Sequence, residues 1–86
     1  MYVICTYDVE QKRCVKIMKL LRQYLFQVQN SVFEGELTPA RVKELKAKID
    51  HLITDDDSVI FYFTYKNKAV HKDTLGKTIE ASNIII

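Results

Sequence analysis

Residues 2–25, YVICTYDVEQKRCVKIMKLLRQYL, hold the change of period on which the fold depends. Residues 2–9 are β-branched or aromatic with few polar interruptions. They read as a strand buried on both faces in the middle of a sheet, ending at Tyr7-Asp8. From Gln11 the spacing becomes helical. Cys14, Ile17, Met18, Leu21 and Leu25 fall on one face, and Lys12, Lys16, Lys19 and Gln23 on the opposite one. A buried strand therefore leads directly into an amphipathic helix with a basic outer stripe.

Working outward, residues 26–37 (FQVQNSVFEGEL) alternate polar and apolar and read most simply as one strand. Thr38-Pro39 then starts a second helix, the threonine hydroxyl capping free N–H groups and the proline taking the first helical position. Val42, Leu45, Ile49, Leu52 and Ile53 make its apolar face, with Glu44 four residues before Lys48 as an exposed pair. After a polar break at residues 54–57, SVIFYFTY at 58–65 is the most strand-like stretch of the chain. A short strand is expected around residues 73–79. The final Asn83, Ile84, Ile85 and Ile86 read as a strand that adds to a sheet edge, its own or a second subunit's. Strand, helix, strand, helix, strand predicts an α+β sandwich of ferredoxin-like type, with both helices on one face of an antiparallel sheet.

The chain has 86 residues, 48% of them hydrophobic, with two glycines and one proline, which predicts one compact domain over residues 1–86. A domain this small buries only roughly 60% of the surface its unfolded chain exposes, so support from a second subunit is expected. Two cysteines, Cys5 in an apolar run and Cys14 on a helix, make no disulfide framework and suit a reducing compartment. The apolar start lacks a basic leader, and no stretch of about 18 apolar residues occurs. The expectation is a cytoplasmic protein with no membrane partner. The net charge is +2, but it is unevenly spread: residues 1–26 carry five basic and two acidic side chains, residues 27–65 four and seven, residues 66–86 four and two.

Asp8, closing a strand just before Lys12-Arg13, can bind a hard divalent cation while the basic groups hold a phosphodiester. One aspartate is a poor magnesium site, but a two-fold axis can bring two copies together. Capping of the following helix is the other reading of Asp8. The stripe of Lys12, Lys16 and Lys19, flanked by Arg13 and Arg22, can track a phosphate backbone or simply be solvated. With no interleaved aromatic platform, duplex backbone contact is favoured over base stacking. His51 and His71 lie at no metal-ligand spacing, Asp55, Asp56 and Asp57 read as a solvated turn, and no phosphate-binding glycine loop or Ser/His/Asp set occurs.

The blocks MYVICTYDV (1–9), KRCVKIMKLLRQYL (12–25), VQNSVFEGELT (28–38) and DSVIFYF (57–63), with Leu75-Gly76, together resemble the CRISPR-associated Cas-two family, the small subunit of the spacer-acquisition machinery. The resemblance covers nearly the whole chain. It implies a ferredoxin-like βαββαβ sandwich with an additional C-terminal strand, in a homodimer where residues 80–86 cross to the partner's sheet. It also implies that Asp8 is the metal-associated residue, preceded by Tyr7. Arg13 or Lys12 matches the basic position, and Ser31 and Phe33 match the serine and phenylalanine of a second conserved block. The full arrangement needs two strands between the helices. Residues 27–37 offer a reversing turn only at Glu34-Gly35, so one bent strand and two short ones both stay open.

Two functional readings follow from the resemblance. In the first, the dimer is a scaffold that bridges the Cas-one integrase and holds duplex DNA during spacer acquisition, with Lys12, Arg13, Lys16, Lys19 and Arg22 on the phosphates. In the second, the protein is a metal-dependent endonuclease. Two Asp8 side chains then share one Mg²⁺ or Mn²⁺ at the dimer axis while Arg13 and Ser31 position the phosphate, with single-stranded RNA as the alternative substrate. A stand-alone endoribonuclease or toxin-like RNase of the same fold is the alternative outside CRISPR.

Overall fold

The structure, a computed structural model, describes residues 1–64 and 69–77. The elements are β1 (Tyr2–Asp8), α1 (Gln11–Arg22), β2 (Phe26–Gln29), β3 (Val32–Glu36), α2 (Pro39–Asp50), β4 (Ser58–Thr64) and β5 (His71–Gly76). The strands form one antiparallel sheet in the order β2-β3-β1-β4-β5. The first four strands and two helices make the expected βαββαβ sandwich, and β5 extends it beyond β4. The expected crossing of residues 80–86, with Asn83, Ile84, Ile85 and Ile86, lies outside the described residues.

Side-chain parity sets the two faces of the sheet. Val3, Cys5, Phe33, Val59 and Phe61 are fully buried and form one core with Ile17 and Leu21 of α1 and Leu45 and Ile49 of α2. Their neighbours point the other way, and no helix among the described residues covers them. Tyr2 is 38% and Ile4 36% exposed, and Ile60 and Tyr62 are half-buried. The expectation that β1 is buried on both faces is thus corrected: within one chain, both helices pack on the same side. Apolar character on the second face is what gave the strand its continuous hydrophobic look.

The segment between the helices is two strands. β2 and β3 form a hairpin that reverses at Asn30-Ser31, with Gln29 opposite Val32 and a register shift between Gln27 and Gln29. Both the single-strand reading and the turn at Glu34-Gly35 are overturned. Gly35 lies inside β3 opposite Val3, where a Cβ would come 3.2 Å from Leu25 Cδ2. The reversal carries neither glycine nor proline, and the polar–apolar alternation runs through it.

The helices largely match their sequence signals. In α1 the buried stripe is Ile17, Leu20 and Leu21, with Cys14 and Met18 half-buried, so it is rotated to include Leu20. In α2 the Thr38 hydroxyl accepts from Arg41 N–H at 3.2 Å and Pro39 takes the first helical position. Glu44 does not pair with Lys48. It accepts instead from Arg41 Nη1 at 2.7 Å and from Tyr24 O–H at 2.6 Å, and Lys48 Nζ sits 5.2 Å from the Tyr24 ring centroid. A nearby aromatic hydroxyl, invisible at helical spacing, takes the carboxylate and ties the end of α1 to α2.

Candidate metal and nucleic-acid site

Asp8 ends β1 on the open face of the sheet, exposed and directly opposite Ser58 of β4. It does not cap α1, whose N-cap is Glu10, without a side-chain cap bond. Instead it lines an open recess of about 320 Å³ with Thr6, Tyr7, Asp56, Ser58, Ile60 and Lys77. Two carboxylates and two hydroxyls in one recess form a hard oxygen donor set. Such a set suits a magnesium ion, which keeps most of its waters and takes one or two protein carboxylates. No group of three or more His, Cys, Asp or Glu that could enclose an ion occurs among the described residues.

The other residues expected at the site are distributed differently. Tyr7 faces the helices: its ring stacks on Phe33 at 6.2 Å and 27°, and its O–H donates to the Asn30 carbonyl at 3.2 Å. Partial burial raises its pKa. Ser31 forms the β2–β3 turn, where its carbonyl accepts from Tyr7 N–H at 3.2 Å. It lines a separate groove with Tyr7, Cys14, Val15, Met18, Gln27 and Asn30, so the recess that holds Asp8 does not contain it. Tyr7 and Phe33 therefore brace the strand behind Asp8.

Arg13 is held by an acid that the sequence reading placed in a solvated turn. Asp57 is fully buried. Its Oδ2 accepts from Arg13 Nε at 2.6 Å and from Thr54 N–H at 3.0 Å; its Oδ1 accepts from Arg13 Nη2 and from Glu10 N–H, both at 3.0 Å. The guanidinium, followed by those backbone donors, outweighs the cost of burial and holds the Asp57 carboxyl well below the usual carboxylate range. Arg13 Nη2 also reaches Thr54 Oγ1 at 3.3 Å and Glu10 Oε2 at 3.2 Å. Asp55, Asp56 and Asp57 thus have three different situations: Asp56 lines the recess, Asp57 is buried, and Asp55 is solvated as expected. No local pattern separates them, because Arg13 is 44 residues away from Asp57.

Lys12, Lys16 and Lys19 form the exposed outer stripe of α1. Lys12 lies 3.5 Å from Glu10, and Arg22 donates to Gln27 Oε1 through Nε at 3.0 Å and Nη2 at 2.6 Å. His51 is exposed, and His71 stacks on Phe63 at 5.7 Å. Cys5 is buried in the core, where desolvation pushes its thiol up to about 12, and Cys14 is half-buried. No helix among the described residues is long and apolar enough to cross a membrane.

With this geometry in place, a family model described as CRISPR associated protein Cas2 matches residues 1–73. The chain belongs to the Cas2 family. Among its relatives, the CRISPR-associated endoribonuclease Cas2 of Thermotoga maritima is 49% identical over 77 residues, 88% of each chain. The protein of the same name from Methanosarcina acetivorans is 42% identical over 87 residues, covering 99% of this chain and all of the other. Solved Cas2 structures share the fold. A Streptococcus pyogenes Cas2 crystal structure at pH 6.5 superposes with a TM-score of 0.70 at 39% identity, over 78% of this chain and 89% of that one. Another Cas2 crystal structure reaches 0.73 at 44% identity, over 100% and 98%. The ferredoxin-like sandwich that the resemblance implies is therefore present here.

Proposed function

We propose that this Cas2 chain acts as a homodimer that binds nucleic acid in CRISPR adaptation and cleaves phosphodiesters with a divalent ion. The observation that carries the proposal is the position of Asp8. It is an exposed carboxylate on the sheet face that the helices leave bare, the same face that presents Tyr2, Ile4, Ile60 and Tyr62. Exposed apolar surface on a small domain favours self-association, and a two-fold contact repeats each residue of the patch in both subunits. Closing two such faces together covers the apolar residues and doubles the Asp8 carboxylate at the rim.

Asp8 from each subunit would hold the ion, with Asp56 and Ser58 at the edge of the recess. Bound Mg²⁺ or Mn²⁺ supplies Lewis-acid polarisation of a phosphoryl oxygen and a lowered pKa for water. The protein's own contribution is placement. The β1–β4 ladder fixes Asp8, and Lys12, Lys16 and Lys19 neutralise flanking phosphates in a sequence-independent, salt-sensitive way. Arg13 serves by holding the start of α1, and Ser31 by fixing the β2–β3 turn beside Tyr7.

The relatives named endoribonucleases support phosphodiester cleavage, with RNA as the first substrate to try. The exposed lysine stripe supports a second reading, a scaffold that holds duplex DNA beside the Cas-one integrase. Purified protein should cleave RNA or duplex DNA with Mg²⁺ or Mn²⁺, and Asp8→Asn should abolish cleavage. Cleavage by Asp8→Asn at the wild-type rate would refute the catalytic reading. Reversing the charge of Lys12, Lys16 and Lys19 together should weaken duplex binding, and co-purification with the integrase tests the scaffold. Unchanged duplex affinity at low salt would remove this helix from the binding face.

A further inference from the structure

Asp57 joins three segments around the candidate site, and none of its bonds is to Asp8. Its carboxylate accepts from Glu10 N–H, two residues after Asp8, and from the Arg13 fork in the first turn of α1. Its own successor in the chain is Ser58, the residue opposite Asp8 in the β1–β4 ladder. Its carbonyl accepts from Lys77 N–H at 2.6 Å, and Lys77 lines the recess that holds Asp8. Asp8 is therefore flanked by Ser58 across the ladder and by Glu10 along the chain, and both run to the same buried residue, Ser58 through the main chain and Glu10 through the Asp57 carboxylate. Only Val9 lies between Asp8 and the second anchor.

From this we infer that Asp57 is a positioning residue: it sets the backbone at residues 8–10, and with it the direction of the Asp8 carboxylate towards a divalent ion. The inference rests on the reading of Asp8 as the ion-holding group. The α1 N-cap has no side-chain bond of its own, so the polar groups at this helix start depend on a side chain from across the fold. A carboxylate there satisfies a backbone donor and a guanidinium at once, which an apolar substitute of equal size would not do. An outer-shell group of this kind acts on ion affinity through the ligand it orients, and its loss typically costs 10–100-fold.

The test uses the full-length protein and Mn²⁺ alone, with binding followed by electron paramagnetic resonance well below the melting temperature. Asp57→Asn should weaken Mn²⁺ binding by about 10-fold or more. Asp73→Asn breaks the ion pair from Lys46 to β5, away from the recess, and should leave Mn²⁺ affinity at the wild-type value even with a lower melting temperature. Wild-type affinity in Asp57→Asn, or an equal loss in both variants, overturns the inference. Amide hydrogen exchange without metal is the second measurement. In Asp57→Asn, Val9 and Glu10 should exchange faster while β3 keeps its protection, and unchanged exchange at residues 8–10 overturns the inference as well. If Asp8→Asn binds Mn²⁺ like the wild type, the metal reading of Asp8 falls and the exchange result alone judges the positioning. Should Asp57→Asn not fold, Arg13→Gln removes the guanidinium that fixes the Asp57 carboxylate, so the carboxylate and the Glu10 N–H that it holds lose their place and Mn²⁺ binding should weaken in the same direction; wild-type affinity there counts against the inference.

Discussion

Gly76, at the end of β5, packs directly on the carbonyl of Asp57. Its φ is +79°, and a Cβ at this position would overlap the Asp57 carbonyl oxygen and come within 3.2 Å of Ile53 Cδ1. Both features demand glycine: the left-handed backbone costs another residue about 1–2 kcal/mol, and the space for a methyl group is already filled by backbone. Gly76→Ala should therefore destabilise the fold by at least about 2 kcal/mol. Urea unfolding followed by circular dichroism checks this, and a loss below about 0.5 kcal/mol, the range of an ordinary surface change, would mean that β5 does not dock as described.

Acid should weaken the fold in a way that depends on Asp57. The Arg13 guanidinium and the Glu10 and Thr54 backbone donors keep its folded-state pKa far below the value of about 3.9 that it takes when the chain unfolds. Above that unfolded value both states are ionised, and the contribution is fully present. As the pH falls below it, the unfolded chain gains a proton first, and stability drops until the folded carboxyl also titrates. Urea midpoints between pH 5 and pH 2 should fall in the wild type and fall less steeply in Asp57→Asn. Parallel slopes would show that other carboxylates dominate acid unfolding.

The two thiols should differ sharply in reactivity. Cys5 is fully buried with its pKa pushed up to about 12, so almost none of it is thiolate at pH 8. Cys14 is half-buried on α1. An aromatic disulfide reagent at pH 8 should label Cys14 in the native protein and Cys5 only after denaturation. Two equally fast thiols would mean that the core opens far more readily than its packing implies.

Thr38 gives a smaller, local effect. Its hydroxyl accepts from Arg41 N–H at the start of α2, and Thr38→Ala should cost about 1 kcal/mol, whereas Thr38→Ser should be close to neutral. Paired melts of the two variants separate the capping hydroxyl from the threonine methyl group.

If the bare sheet face closes the dimer, a charge placed there will reverse association. Ile60 lies on that face beside the recess. Ile60→Arg should run as a monomer in analytical ultracentrifugation with near-native circular dichroism, and it should lose Mn²⁺-dependent cleavage. A dimer that survives the change would place the contact elsewhere on the molecule.

What the sequence could tell, and what it could not, follows the distance over which each cause acts. The amphipathic faces of α1 and α2 and the Thr38-Pro39 start are local signals, and all are present. Asp8 at the end of β1 was equally legible, because a strand end can be read from a change of period. The turn at Asn30-Ser31 was hidden because its residues continue the alternation of the strands that it joins. The Arg13–Asp57 pair was hidden because the loop before β4 meets α1 only after the fold has closed, and no spacing rule reaches across 44 residues. The recess residues Asp56, Ser58 and Lys77 were missed for the same reason, since they come from a loop, a strand start and the residue after β5.

The parity of the sheet divides the labour of the chain between two independent sets of positions. Val3, Cys5, Val59 and Phe61 answer to the helices, whereas Tyr2, Ile4, Ile60 and Tyr62 answer to whatever meets the bare side. Because neighbouring residues in one strand belong to different sets, changes in the second set can retune association without repacking the first. A single small domain can in this way acquire new company while its interior stays the same.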